Sequence, residues 1–478
     1  MAIDNLQVPP KRLLSIFLYG FLAALSPLFC RGAETTLPEP YFPGPVFIQL
    51  KTEDFSIESI DKIYDLGFRG FRRGIYWETV DKGDGTYDFS EWDKEFAHAN
   101  KKGMRIVGCL FCDNKNYEDD GVGGIQTEAG RKGFAKFAAA AEQYKDYDIL
   151  WEIWNEPNVR TFWRKNKERV GNIPPAEHNS EVFAEEYTAL VKEMASEVLK
   201  KVFGAFIMAG SVSNYWKPSY EWTEFCFKKG ILDSGIRGWF VHPYGVKLPE
   251  AFAEGHDITR GLLKKYGKPD FPMLDTERGF SVAKHQGGGE IANEAWSGAP
   301  AEVAHIAQAW HFVRQFMMDQ LHGLHLTSWY EFSGDKLGLL PGRPVTKAAH
   351  VMYEQLNGYK FVKQRPSDHP QDYVLLWEDR NGGKKIVAWT APPADAGPEQ
   401  TQNHSISIDG IAGNVPFVDI AGKSLTASGS PTTFPLTGAP ISIPVARDIN
   451  PKHSQIVPGT MKVAGASRTN HSRLSATF

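Results

Sequence analysis

The chain has 478 residues, 42% of them apolar and 23% charged, with a formal net charge of −4. That balance belongs to a globular protein with a large core, and it excludes the basic footprint of a nucleic-acid binder. The length exceeds one small domain and suits a barrel of about 250 residues or more with a smaller module attached.

Lys11 and Arg12 precede an apolar run at 13–25, and small residues follow near Gly32 and Ala33. This pattern predicts a signal peptide over 1–33 and a secreted or periplasmic protein. The run is shorter than the roughly 20 residues a membrane span needs, so no integral span is expected after removal. An uncleaved anchor is the alternative. Removal leaves Cys109, Cys112 and Cys226, which cannot all pair, so no disulfide framework is expected. Cys109 and Cys112 form a lone CxxC with no second ligand pair, and they read as packing residues.

From 46 to 358, short apolar runs alternate with amphipathic segments. Strands are predicted at 46–50, 67–75, 104–111, 148–154, 205–209, 236–241, 272–275 and 323–329. Helices are predicted at 57–66, 92–102, 128–144, 182–202, 222–229, 258–266, 301–320 and 346–356. Eight strand–helix units without a glycine-rich phosphate loop predict an α/β fold, a (β/α)8 TIM barrel over 40–358. Past Gly358 the pattern changes to short strands at 373–377, 385–389, 405–408, 415–419 and 441–444, separated by Gly, Pro, Ser and Asn. These predict a C-terminal antiparallel β-sandwich over 359–447. The polar stretch 448–478 reads as a disordered tail.

In such a barrel the C-terminal strand ends carry the site. Strand four ends in Asn155-Glu156-Pro157, strand six in His242-Pro243-Tyr244, and strand seven in Asp275-Thr276-Glu277. Strand eight ends in Ser328-Trp329-Tyr330-Glu331, and strand two carries Arg72 and Arg73. Paired carboxylates surrounded by an amide, a guanidinium, phenols and an indole are the inventory for cleaving a glycosidic bond. One carboxyl protonates the departing oxygen, and the other attacks or activates water.

WEIWNEPNV (151–159) followed by FPMLDTERGF (271–280) resembles the clan A retaining glycoside hydrolases. RRGIYWETVDKGDGTYDF, VHPY and SWYEF extend the likeness over roughly 40–360. WNEPNVRTFW is most similar to members near family 39, whose substrates include xylosides and exopolysaccharides, and family 5 remains open. The resemblance implies that Glu156 is the acid/base and Glu277 the nucleophile, in a double displacement on a poly- or oligosaccharide. It implies that Asn155 contacts the sugar hydroxyl beside the anomeric carbon. Arg72 is expected to clamp Glu277, with Arg73 as the alternative. Tyr244 is expected to support Glu277, His242 to line the subsite or sit in the core, and Trp329 to form a stacking floor. Asp275 competes with Glu277 as nucleophile, being placed on the same strand face. Glu152 reads as a buried ion-pair partner, and Glu331 as a substrate contact or a loop charge. The mechanism needs no cofactor and no metal. A transglycosylase would use the same residues, and a non-catalytic carbohydrate-binding protein on a degenerate barrel is the third reading. The sugar, the linkage and the oligomeric state are not readable from the residues.

Overall fold

A computed structural model describes residues 35–118, 124–159, 162–163, 181–245, 248–282, 301–334, 336–393, 401–445 and 454–457. The signal peptide expected over 1–33 lies outside the described residues. Among those described, no helix is long and apolar enough to cross a membrane.

Eight parallel strands close into a barrel in chain order. They are β1 (Val46–Gln49), β2 (Gly70–Tyr76), β3 (Arg105–Phe111), β4 (Ile149–Ile153), β5 (Phe206–Ser213), β6 (Gly238–His242), β7 (Met273–Arg278) and β8 (Thr327–Trp329). Closure is direct: Phe47 of β1 lies opposite Gly70 of β2 on one side and Ser328 of β8 on the other. Around the strands run α1 (Ile57–Asp65), α2 (Trp77–Val80), α3 (Ser90–Lys101), α4 (Glu128–Ala140), α5 (Glu181–Lys201), α6 (Lys217–Lys228), α7 (Phe252–Lys265), α8 (Ala301–Leu321) and α9 (Pro344–Leu356). Helix starts follow local chemistry. Ser56 and Thr127 accept the backbone N–H of Ser59 and Gly130, capping α1 and α4. α6 begins at Lys217 rather than at 222, because Pro218 fits a first turn where its missing N–H costs nothing.

The strand period of two sorts side chains to opposite faces. The lower barrel interior is filled by Phe47, Val107, Leu150, Phe206, Met208, Phe240, Leu274 and Leu326, all buried. Each large apolar side chain there contributes about 1.5–3 kcal/mol over an exposed one. Gly70 is required in this layer, since a Cβ on it would lie 2.1 Å from the Phe47 ring. The strand expected at 205–209 continues to Ser213 through an irregularity between Ala209 and Val212. There Gly210 (φ 120°) and Ser211 (φ 50°) bend the chain.

The C-terminal module has two antiparallel sheets. Six strands run in the order β14 (Ser424–Ala427), β13 (Val415–Val418), β16 (Ile441–Val445), β11 (Lys384–Thr390), β10 (Asp372–Asp379), β9 (Tyr359–Gln364). The other sheet runs β15 (Thr433–Leu436), β12 (His404–Ile408), β17 (Ser454–Val457). β10 and β11 are buried on both faces. Val374, Leu376, Ile386 and Ala388 join Ile406, Ile408 and Phe434 in the sandwich core. Leu375, Trp377, Val387 and Trp389 belong to the barrel's apolar cluster. Glu250 joins the two parts, accepting from Trp389 Nε1 (2.7 Å) and from Arg314 Nε of α8 (2.6 Å). The tail expected at 448–478 needs correction at 454–457. These residues pair along the free edge of β12, Ser405 opposite Val457, and so continue the sheet. The rest of that tail lies outside the described residues.

Candidate active site

Strand alternation first decides between the two arginines of β2. Gly70 and Arg72 face the barrel interior, whereas Phe71 and Arg73 face out. Arg73 stacks over Phe55 and Tyr76 and donates to Thr52 and Glu91. Arg72 is buried above the apolar layer and is the hub of the site. Its Nε and Nη2 donate to Glu152 (2.6 and 3.0 Å) and its Nη1 to Glu277 Oε2 (2.8 Å) and Gln49 Oε1 (2.9 Å). Nη2 also reaches Asn155 Oδ1 (2.7 Å). One guanidinium thus joins β1, β2, β4 and β7, which only its planar fork of five donors can do.

β4 ends under strain. Trp154 (φ 67°) and Glu156 (φ 45°) both adopt the left-handed backbone that ordinary residues avoid. The turn directs Trp154 outward among Phe111, Phe134 and Trp163, and leaves Asn155 and Glu156 at the strand mouth. Among the described residues, every non-glycine with positive φ lies at this end of β3, β4 or β5: Cys112, Trp154, Glu156, Ser211 and Asn214. Strain of this kind persists where surrounding structure enforces it, and it collects at functional sites.

β7 departs from simple alternation too. Its pairing with β8 slips between Asp275 and Arg278. Asp275 therefore does not share a face with Glu277, which corrects the expectation of a competing nucleophile. Asp275 is fully buried toward α8, beside Asp319 and Gln315, and accepts the Glu277 backbone N–H (3.1 Å). Burial and the Asp319 charge push its carboxyl well up. The bulge re-aims Glu277 into the cleft. There Arg72 holds one of its oxygens, and the Tyr244 hydroxyl donates to the other (3.1 Å).

His242 bridges the carboxylates. Its Nδ1 lies 3.0 Å from Glu156 Oε1, and its Nε2 lies 3.1 Å from Thr276 Oγ1 and 3.7 Å from Glu152 Oε1. Burial alone disfavours the imidazolium, but Glu277, Glu152 and Glu156 outweigh it and push the ring up to about 9. For Glu152 burial again opposes the charge, yet Arg72 and His242 hold its carboxyl down to about 2. Ser211 Oγ completes the cradle of Glu152. Burial pushes Glu277 up, and the neighbouring Glu156 and Glu152 add to this, while His242 and Arg72 oppose it. Single ligand atoms of Glu156, His242 and Glu277 lie within 4.8 Å of one another, a spacing that also suits a cation. Arg72 already places a positive charge against Glu152 and Glu277 here.

Asn155, Arg72, Tyr244, Glu156 and Glu277 thus converge on one cleft. His242 belongs to it from beneath: it is fully buried and contacts carboxylates, so it presents no surface to a sugar. Trp329 corrects the expected stacking floor. Alternation turns it outward, where it is fully buried, packs on Phe312 and donates to Leu337 O (3.1 Å). The next residue, half-buried Tyr330, lies close enough to feel the Glu277 charge, which with burial pushes its phenol up. Glu331 pairs with Lys51 (2.6 Å) at the side of the barrel mouth. Cys109 is buried between the Arg72 guanidinium and the Trp154 carbonyl. Gln49, Ser211, Thr276 and Tyr330 join the site in addition to the residues to which the motifs assign a role. The polar Gln49 inside an otherwise apolar first strand was the available signal.

No family sequence model and no curated protein sequence matches the chain. Solved structures do match. A family 39 glycoside hydrolase from the gut symbiont Bacteroides cellulosilyticus WH2 superposes with a TM-score of 0.63 at 18% identity, over 84% of this chain and 81% of the other. A monomeric β-xylosidase from Caulobacter crescentus CB15 gives 0.56 at 14%, over 86% and 97%. A family 30 endoxylanase from Clostridium papyrosolvens C71 gives 0.53 at 12%, over 86% and 97%. Identities this low establish a shared fold, a barrel with an attached module, and the neighbours that share it are clan A glycoside hydrolases.

Proposed function

We propose that the protein is a retaining glycoside hydrolase, with Glu277 as nucleophile and Glu156 as acid/base. The observation that carries this reading is the separation of the two carboxylates, whose nearest oxygens lie within 4.8 Å. Retaining enzymes hold the pair about 5–5.5 Å apart, and inverting enzymes about 6.5–9.5 Å to admit a water.

Hydrogen bonding supports the division of roles. Arg72 and His242 face Glu152 and the catalytic pair, and one proton shared by that pair balances the charge. Arg72 and Tyr244 donate to both oxygens of Glu277, which favours Glu277 as the anion and leaves the proton to Glu156. In the first step Glu277 attacks the anomeric carbon, the glycosidic C–O bond breaks, and the Glu156 proton passes to the departing oxygen. The ester so formed removes the Glu277 charge, and ionised Glu156 restores neutrality. Glu156 then takes a proton from water as the water attacks the anomeric carbon, releasing Glu277 and a sugar of the original configuration. Both half-reactions run between electrically matched states, so little reorganisation is needed. Arg72 and Tyr244, each donating to an oxygen of Glu277, orient the attacking anion.

β-Xylosides are the first substrates to test, since a β-xylosidase and an endoxylanase share the fold. The residues 1–33 support export of the chain, which cell fractionation tests. The catalytic reading is tested with Glu277→Ala on aryl glycosides. Turnover should fall to background, and azide should restore part of it with a glycosyl azide of inverted configuration. Full activity in that variant, or an inverted sugar from the wild-type chain, would sink the assignment.

A further inference from the structure

A second cluster of histidines and carboxylate lies in the sandwich, and the chemistry above does not use it. We propose that His369, Asp372 and His404 bind one divalent transition-metal ion of the zinc type, which clamps the two sheets of the module. The proposal does not depend on the glycosidase reading.

The placement is local in origin. Asp372 N donates to His369 O (3.1 Å), so a tight turn entering β10 sets the two side chains together. His404 opens β12 in the opposite sheet. Single ligand atoms of the three residues lie within 4.8 Å of one another. His369 Nδ1 is 3.5 Å from Asp372 Oδ1, and His404 Nε2 is 3.1 Å from Asp372 Oδ2. A tetrahedral zinc with bonds of about 2.0–2.2 Å holds its ligand atoms about 3.3 Å apart.

The hydrogen bonds fix what the ligand atoms offer. His404 Nδ1 is 2.9 Å from the Gln402 carbonyl, which only a ring N–H satisfies, so Nε2 is the nitrogen left to face the carboxylate or a metal ion. A ligating histidine is typically held in this way, by a carbonyl at its other nitrogen. His369 Nδ1 takes only a long hydrogen bond from the Gln371 N–H (3.4 Å), which a metal ion at that nitrogen would replace. Ser367 Oγ donates to Asp372 Oδ2 (2.8 Å) and orients the carboxylate. The Asp372 side chain is fully buried, and its Oδ1 has no hydrogen-bond partner among the described residues. No lysine or arginine among them pairs with it. A buried carboxylate between two imidazoles needs positive charge beside it, and a metal ion supplies it where ring protons do not. Two imidazoles and one carboxylate are a zinc donor set with one position left for water.

The test uses the full chain, stripped with chelator and titrated with Zn2+, and with Co2+ as a visible reporter. The proposal expects one zinc per chain, tetrahedral Co2+ absorption bands, and a thermal midpoint that rises with zinc and returns with chelator. His404→Ala and, separately, Asp372→Asn should weaken zinc by more than the about 10- to 100-fold that loss of an outer partner costs. Both should keep the wild-type circular dichroism and the wild-type turnover. His242→Gln should leave zinc binding unchanged, which separates this site from the barrel cleft. Zinc binding unaltered in both sandwich variants, or abolished by His242→Gln, overturns the proposal. So does a chain that takes up no zinc, which would mean that the imidazoles carry protons in the metal's place.

Discussion

The barrel and the sandwich each gather histidine and carboxylate groups within 4.8 Å, and they balance the charge in opposite ways. In the barrel the cation is covalent: Arg72 is built into β2, and five polar partners surround it on four strands. In the sandwich no arginine or lysine among the described residues reaches Asp372, and one of its oxygens is left without a donor. A site that must change its charge during a reaction benefits from a fixed, pre-aligned cation. A site that only joins two sheets can take its cation from solution. The same ligand spacing therefore has two meanings, and the surrounding donors decide between them.

The strongest way to break this contrast is to remove the fixed cation. Arg72→Met keeps volume but leaves Glu152 and Glu277 without their counter-charge in a buried site. Unpairing a buried ion pair costs about 3–5 kcal/mol, so denaturant unfolding should show a loss of that order. Turnover should vanish along with it, because Glu277 loses its orientation. A variant with wild-type stability would mean that the barrel cluster, like the sandwich cluster, does not rely on an internal charge.

How much of each cluster was legible follows from its chain geometry. The barrel and its strand order came from an eightfold alternation, and Glu156 and Glu277 came from motifs at strand ends. Residues that depend on regular alternation were placed well: Arg72 and Glu152 both face inward. Residues next to irregularities were not. The β7 bulge separated Asp275 from Glu277; Trp329 is a different case, since alternation on β8 itself turns it outward with Thr327. No local pattern announces a bulge, because it arises from the pairing of distant strands. The sandwich cluster was invisible for a related reason. His404 lies far along the chain from His369 and Asp372, and only sheet packing brings it back.

pH sharpens the comparison, with a smaller effect. The His242 ring rises from its ordinary 6.5 to about 9 in the folded chain. A base whose folded pKa is raised contributes stability in full below about pH 6.5 and loses it as pH climbs through about 9. Glu152 acts at the other end: held down to about 2, it contributes above its ordinary 4.5 and loses that as pH falls through about 2. Stability measured by denaturant between pH 6 and 9.5 should decline, and the decline should flatten in His242→Gln. An unchanged slope in that variant would remove His242 as the barrel's second cation.

The smallest expected effect lies in the metal-free sandwich. If Arg72 makes the barrel's anions an asset, Asp372 without a cation is a burden on its module. Asp372→Asn keeps the shape and the acceptor for Ser367. In chelator it should raise unfolding stability by about 1 kcal/mol, since a neutral amide replaces a buried carboxylate that no lysine or arginine among the described residues pairs. With zinc present the sign should reverse, because the wild-type chain gains binding energy that the variant cannot. The two clusters would then differ in one testable property. Neutralising a carboxylate harms the barrel under every condition, and harms the sandwich only when metal is there.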